Sequence, residues 1–474
     1  MTYAPADAAF ADTLRDRLGP RTFREAEPRY FEDPRGRWTA PTGLVLAPGD
    51  TSEVQTILRA ANEARVRVIP YGGGTGLVGS QTPGPGAAPL ILSMERMTRI
   101  RDVFQEENVI IAEAGVILQD LHDAAQTVDR LFPLSLAAKG TARIGGNLGT
   151  NAGGVNVLRY GNTRDLCLGL EAVLPDGRVM NGLTRLRKDN TGYDLRNLLI
   201  GSEGTLAVVT AAALKLAPIP AEAGTALMVV ESPEAALRLL AMARSQMAEG
   251  VSAFELIAGM GFEFLAETMP QVRRPFDPAP PWSVLIDVGL SRGTDPQAAL
   301  EALFTEAAEA GLVTDGVIAQ SEAQRNELWD VRENLPAASR AIGGICSHDV
   351  SLPLGAVPDF LRRGDQLVAS LGNFRINCFG HLGDGNLHYN LFPPKGETRD
   401  AYMHRTKEIY AAVHDLVVEM GGSFSAEHGV GRLKVQELER YGDPVRLEMM
   451  RGIKRLFDPN GIMNPGAVLA EERA

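Results

Sequence analysis

The feature that most constrains this chain is a glycine run at residues 72–79: Gly72, Gly73, Gly74, Thr75, Gly76, Leu77, Val78 and Gly79. An apolar, strand-like segment at 66–70 leads into it. The run contains the spacing G-x-G-x-x-G, and Glu95 lies near the acidic position of a dinucleotide fingerprint. A Rossmann fold also requires a helix to open at that loop, with its N-terminus facing the pyrophosphate. Here the chain continues Ser80, Gln81, Thr82, Pro83, Gly84, Pro85, Gly86. Prolines at this density remove backbone donors and break a helix, so the Rossmann fold is excluded. What survives is the chemistry of the glycines, whose backbone N–H groups crowd around a phosphate without interference from Cβ. A second small-residue run (Ile144, Gly145, Gly146, Asn147, Leu148, Gly149, Thr150, Asn151, Ala152, Gly153, Gly154) lets a large planar ligand lie against the backbone. Together the two runs point to a dinucleotide site in a different fold.

Around these runs the pattern is α+β. Leu44, Val45 and Leu46 read as a short strand, and Asp50 with Glu53 opens a helix carrying Val54, Ile57, Leu58 and Ala61 at helical spacing. Further short strands are expected at 109–112 and 206–210. Pro218 and Pro220 punctuate a linker. Beyond it, strands at 226–230 and 283–288 alternate with helices at 233–249 and 295–311, and the four prolines within 274–281 read as a loop or lid. From about Tyr402 the pattern is mostly helical, ending in a turn cluster at 457–461.

The charge balance, 47 Lys and Arg against 59 Asp and Glu, leaves a net −12. A phosphate-backbone binder is ordinarily basic, so nucleic acid is not an expected partner. No apolar run reaches the ~18 residues of a membrane span, and the first twenty residues lack an apolar signal core. Cys167, Cys346 and Cys378 are too few and too scattered for a disulfide framework or a CxxC metal site. They read as buried, reduced thiols of a cytoplasmic protein.

The chemistry concentrates in the histidines. Residues 377–379 and 387–392 read as strands joined by a turn at 383–386. In such a hairpin His381 and His388 oppose each other on one face with Cβ atoms about 5 Å apart, a natural metal clamp, and Asn390 points the same way. Glu427, in the segment Ser425, Ala426, Glu427, His428, Gly429, Val430, Gly431, supplies a third ligand. Two imidazoles and a carboxylate leave an open coordination position, and His428 stays available as a base. His348 also lies in a polar segment, whereas His122, His404 and His414 fall in helical patterns and read as surface residues. Arg332 offers a planar fork to a substrate carboxylate, or else forms a surface ion pair with a nearby Glu. The metal set alone would also suit a hydrolase, which would be colourless and would leave both glycine runs unexplained; a flavin-carrying subunit that is catalytically silent by itself is the other alternative, against which Arg332, His381, His388, Glu427 and His428 stand together.

The segments around Gly72–Leu77 in the first run, Gly145–Gly154 in the second, and Gly201, Ser202, Glu203, Gly204, Thr205, Leu206 resemble the FAD-binding domain of the vanillyl-alcohol-oxidase superfamily. The segments at 381–388, 426–431 and 464–469 resemble its FAD-dependent D-2-hydroxyacid dehydrogenase branch. That branch holds D-2-hydroxyglutarate dehydrogenase, D-lactate dehydrogenase and the glycolate oxidase flavin subunit. Residues 187–195 are most similar to the 2-hydroxyglutarate members. The resemblance implies an N-terminal helical segment (1–36), a PCMH-type FAD-binding domain (37–217), an α/β substrate (cap) domain (218–401) and a helical C-terminal segment completing the flavin site (402–474).

It also implies roles. Gly72, Gly73, Gly74, Thr75, Gly76, Leu77, Gly145, Gly146, Thr150, Asn151, Gly153 and Gly154 would hold the FAD pyrophosphate. Glu203 and Val208 would line the adenine–ribose side, with Asn464 near the isoalloxazine. With no histidine in the phosphate loop, FAD is expected to be noncovalent. His381, His388 and Glu427 match the ligands of a divalent metal, usually zinc. Arg332 and Asn390 match substrate-binding positions, and His428 matches the base. The implied reaction is oxidation of a D-2-hydroxyacid by hydride transfer to flavin N5, with D-2-hydroxyglutarate the leading substrate and D-lactate, D-malate and glycolate the alternatives. The expected partners are that small acid and an electron acceptor such as an electron-transfer flavoprotein or a quinone, with a homodimer as the expected assembly. One departure stands out. Where 2-hydroxyglutarate members hold the distal carboxylate with a Thr and a Lys, this chain has Pro336 and Ser347. Losing both contacts would weaken a dicarboxylate by about 2–4 kcal/mol. Either His348 compensates, or the enzyme prefers another D-2-hydroxyacid.

Overall fold

The computed structural model describes residues 2–471, which divide into two compact units. The first comprises Met1–Gly153, Asn162–Ile219 and His428–Ala474; the second comprises Gly154–Gly161 and Pro220–Glu427. The switch at 219/220 falls beside the expected linker. The C-terminal stretch is shared, with residues up to Glu427 in the second unit and the remainder in the first.

In the first unit, the strands Leu44–Leu46, Leu90–Ser93 and Val68–Tyr71 run parallel, in that spatial order. The helix Thr51–Ala64 starts where the capping pair predicts, with the Asp50 side chain accepting from the Glu53 N–H. Its buried stripe of Val54, Ile57, Leu58 and Ala61 packs with Leu46, Val68, Leu90 and Leu92. No helix follows Val68–Tyr71 before the next strand, so the loop at 72–89 behaves as the prolines require. A second sheet is antiparallel, in the order Ile100–Phe104, Val109–Glu113, Val208–Lys215, Cys167–Val173, Val179–Gly182. Near the C-terminus the Asn464 N–H donates to the Val68 carbonyl at 2.8 Å, fastening that segment beside the strand that feeds the glycine loop.

The second unit is a seven-stranded, wholly antiparallel sheet. Its order is Val313–Ile318, Glu222–Val230, Trp282–Leu290, Val251–Ala258, Arg375–His381, Asn386–Phe392, Cys346–Ser351. Side chains alternate between its faces. One face carries Met228, Leu256, Ile286, Cys378 and Tyr389, packed under the helices Pro233–Met247, Pro296–Glu309, Val357–Leu371 and Thr406–Glu419. The other carries Leu227, Ile257, Leu285, Phe379 and Phe392 beneath the helices Gly259–Thr268 and Glu322–Ile342. The expected helices at 233–249 and 295–311 are thus present. The proline-rich segment at 274–281 has no regular structure. All three cysteines are buried and free, and among the described residues no helix is long and apolar enough to cross a membrane.

Candidate active site

Within the first unit the two glycine runs interlock. A Cβ on Gly73 would stand 2.0 Å from the Thr141 carbonyl oxygen, and one on Gly72 would stand 3.2 Å from the Cα of Gly146. Gly74 adopts φ +72, open to glycine at no steric cost. The second run is a helix, Ile144–Thr150, ended by Asn151 in the left-handed conformation. Glycine destabilises a helix interior by roughly 1 kcal/mol relative to alanine, so Gly146 and Gly149 need a reason. A Cβ at Gly149 would meet nothing within 4 Å, and one at Gly146 would meet only the Gly72 Cα at 3.9 Å. Among the described residues, the carbonyl oxygen of the buried Asn147 side chain has no hydrogen-bond partner. An open glycine face beside an unsatisfied buried acceptor fits a flat, hydrogen-bonding cofactor such as FAD.

Other residues expected at the flavin serve the protein itself. The Glu203 carboxylate accepts from the N–H groups of Val430 (2.8 Å) and Gly431 (2.9 and 3.1 Å), and so fixes the loop that follows His428. Asn464 donates to the carbonyls of Ser80 and Glu203 and accepts from Arg432, tying three segments together. The Val208 side chain belongs to the core, packed with Leu92, Ala114 and Val173. The Thr150 hydroxyl donates to the Gly146 carbonyl, and the Asn151 side chain accepts from the Arg164 N–H.

In the second unit the polar residues gather on the sheet face beneath the helix Glu322–Ile342. Phe379 pairs with His388, and His381 pairs with Glu255 on the neighbouring strand Val251–Ala258. The two histidines are therefore diagonal neighbours rather than directly opposite. The connection includes a 3-10 turn at Leu382–Asp384 and Gly385 in the left-handed conformation, and this four-residue loop sets the register. Both rings still share a face, with centroids 5.7 Å apart. His388 Nε2 lies 3.7 Å from the Glu427 carboxylate and its Nδ1 lies 4.0 Å from Asp349. Asp349 accepts from the Glu427 N–H and from the Asn386 side chain, anchoring the Glu427 loop to the sheet. Ligand atoms of Asp349, His388 and Glu427 all fall within 4.8 Å of one another. Two ligand atoms bound tetrahedrally to zinc at ~2.1 Å stand ~3.4 Å apart. The His388–Glu427 separation and the mixed imidazole and carboxylate donors therefore fit a divalent cation such as zinc.

Glu255, 1% exposed, divides its carboxylate. One oxygen accepts from Arg332 Nε at 2.7 Å, and the other meets His381 Nδ1 at 2.7 Å. Burial alone would raise the Glu255 carboxyl, but the charges of His381 and Arg332 and their hydrogen bonds hold it at about 2. Burial alone would lower His381, yet the Glu255 charge and hydrogen bond raise it to about 9. The Arg332 guanidinium also lies over the Phe379 ring, 5.0 Å from its centroid. Its ion pair is thus a buried one, made through Nε, rather than a surface pair. Asn390 is buried on the same face, across from Ser347 and Asn377.

His348 is a correction. It pairs with Tyr389 in the register and so points to the opposite face of the sheet from Asn390. There its Nδ1 sits 3.3 Å from Nε2 of His414. It therefore lies on the other side of the sheet from Asn377 and Asn390. His414, expected at the surface, is buried beside it. His428 follows Glu427 directly and begins the last segment of the first unit. Sequence reasoning missed Glu255 and Asp349. Glu255 did leave a signal, as the lone acid in a strand otherwise made of apolar or small residues.

Residues 42–182 match the family model for the FAD binding domain, and residues 219–468 match that for the C-terminal domain of FAD linked oxidases. The chain belongs to the FAD-linked oxidase family. A D-2-hydroxyglutarate dehydrogenase of Stutzerimonas stutzeri is 34% identical over 98% of this chain and 99% of its own length. One from Xanthomonas citri pv. viticola is 35% identical over 92% and 91%. A putative D-lactate dehydrogenase of Schizosaccharomyces pombe is 34% identical over 90% and 82%. The fold is shared with p-cresol methylhydroxylase, at TM-score 0.76 and 15% identity over 99% of each chain. Membership in an FAD-linked family accounts for both glycine runs, as the hydrolase alternative did not.

Proposed function

We propose that this FAD-linked oxidase converts a D-2-hydroxyacid to the 2-oxoacid, with D-2-hydroxyglutarate as its first substrate. The observation that carries the reading is the second unit's polar sheet face, where Glu255, Arg332, His381, His388, Asn390 and Glu427 converge in a chain whose relatives include D-2-hydroxyglutarate dehydrogenases. The terminal nitrogens of Arg332 bind the C1 carboxylate, oriented by Glu255 behind and Phe379 below. His381, His388 and Glu427 hold a divalent metal, zinc, which supplies Lewis-acid polarisation of the 2-hydroxyl and carboxylate. His428 takes the hydroxyl proton as the base. FAD, held noncovalently by the glycine runs, supplies the two-electron acceptor for the C2 hydrogen.

Asn390 and Ser347, which faces the same side, are the groups nearest in register to take the rest of the substrate. An external acceptor of the electron-transfer-flavoprotein or quinone class completes the cycle. A cytoplasmic location and a homodimer belong to the same proposal, although relatives from Oryza sativa and Bos taurus carry "mitochondrial" in their names. The test is anaerobic mixing of the zinc-loaded, FAD-containing protein with D-2-hydroxyglutarate, D-lactate, D-malate and glycolate in turn. Fastest bleaching of the ~450 nm flavin band by D-2-hydroxyglutarate supports the reading. Fastest bleaching by another acid reassigns the substrate, and a protein that takes up no FAD removes the reaction.

A further inference from the structure

Two arginines on the helix Glu322–Ile342, two turns apart, each meet a carboxylate on the sheet face below. Arg325 meets Asp287, whose carboxylate is closed off by the guanidinium (3.0 and 3.1 Å), the Thr225 hydroxyl and the Trp329 indole N–H. This is a self-contained structural pair. Arg332 meets Glu255, and there the arrangement differs. Among the described residues only Nε of Arg332 is used, and the second carboxylate oxygen goes to His381 on another strand. A carboxylate this deeply buried is strongly destabilising unless paired, and a single partner would have sufficed.

We infer that Glu255 is a positioning residue that sets the substrate-binding guanidinium and a metal-binding imidazole from one carboxylate. The inference rests on the function proposed above. By holding Nδ1 of His381, Glu255 fixes the tautomer and turns Nε2 outward as the ligand atom, the support a metal-bound histidine ordinarily receives from an outer carboxylate. By holding Nε of Arg332, it leaves the two terminal nitrogens as the fork offered to a carboxylate. Metal binding and substrate binding are therefore set by the same side chain and weaken together when it is altered.

The experiment uses the FAD-containing full chain, stripped of metal, as wild type, Glu255→Gln and Asp287→Asn. Zinc affinity is measured by competition with a chromogenic chelator, alongside KM and kcat for D-2-hydroxyglutarate, flavin content and Tm. For Glu255→Gln, zinc affinity is expected to fall about 10–100-fold and KM to rise about tenfold or more, with flavin content unchanged. Asp287→Asn is expected to lower Tm while leaving zinc affinity and KM as in wild type. Should Glu255→Gln fail to fold, Glu255→Asp keeps the charge but falls short of both partners by one methylene, and the same joint loss is expected. Zinc affinity and KM within twofold of wild type in a folded Glu255 variant overturn the inference. So does an equal loss in Asp287→Asn. A wild-type protein that binds no zinc and is bleached by none of the acids removes the proposed function, whereas a wild type that does both beside an unaffected Glu255→Gln removes only the positioning role.

Discussion

Gly149→Ala separates what the protein needs from what its cofactor needs. Gly149 lies in the helix Ile144–Thr150, its φ is not left-handed, and an added Cβ meets no atom within 4 Å. Without cofactor, alanine should stabilise the helix by about 0.5–1 kcal/mol. For a folding unit of a couple of hundred residues that raises Tm by about 1–4 °C. If the flavin lies against this glycine face, the same methyl group pushes it outward by about an ångström and stretches at least one hydrogen bond. Losing one such bond at about 1–3 kcal/mol raises the FAD Kd roughly 5–150-fold. The assay pairs thermal unfolding of the flavin-free protein with FAD titration followed by flavin fluorescence. Opposite signs are expected, a higher Tm and a weaker Kd. A raised Tm with unchanged FAD affinity would show that the open space is not the flavin's. A lowered Tm would show that it is not open. Gly73→Ala is the contrast, because its Cβ would collide with the Thr141 carbonyl at 2.0 Å and should destabilise the protein with or without FAD.

Arg332→Lys keeps the charge but loses the planar fork, and should raise KM about tenfold or more with a smaller change in kcat in steady-state assays. His428→Asn should cut turnover by roughly 10²–10⁴ while the purified protein stays yellow; unchanged turnover removes it as the base. In metal-free protein the Glu255–His381 pair gives a definite pH response. The His381 contribution is complete below 6.5 and is lost as pH rises through about 9, and that of Glu255 is complete above 4.5 and is lost as pH falls through about 2. Tm should therefore drop between pH 6.5 and 9, with less of a drop in Glu255→Gln. Burial pushes the thiols of Cys167 and Cys346 up to about 12 and that of Cys378 higher still. At pH 8 the native protein should resist alkylating reagents at all three, and the denatured protein should react at all three, as mass spectrometry of the adducts would show.

How much of this was legible depended on whether the deciding interaction was local. The loop at 72–89 could be read because proline and glycine act on their own backbone, and the Asp50 cap because its partner is three residues away. His348 could not be placed from its polar neighbours. In the strand Cys346–Ser351, alternation separates His348 from Asp349, but only the pairing of Ser347 with Asn390 shows which of the two faces the site. The buried carboxylates were harder still. Glu255 finds Arg332 at 77 residues and His381 at 126 residues along the chain, and no periodicity encodes such separations. Yet a charge at the centre of a strand that is otherwise apolar or small on both faces is costly enough that the fold must supply a counter-charge. The acid in that strand therefore implied the existence of a partner without naming it. Arg332, a cation on the buried stripe of an amphipathic helix, posed the mirror-image demand. Pairing the two unmet charges would have identified Glu255 before any coordinates, and it would also have moved Arg332 from the surface ion pair that its sequence surroundings allowed to the buried site it occupies.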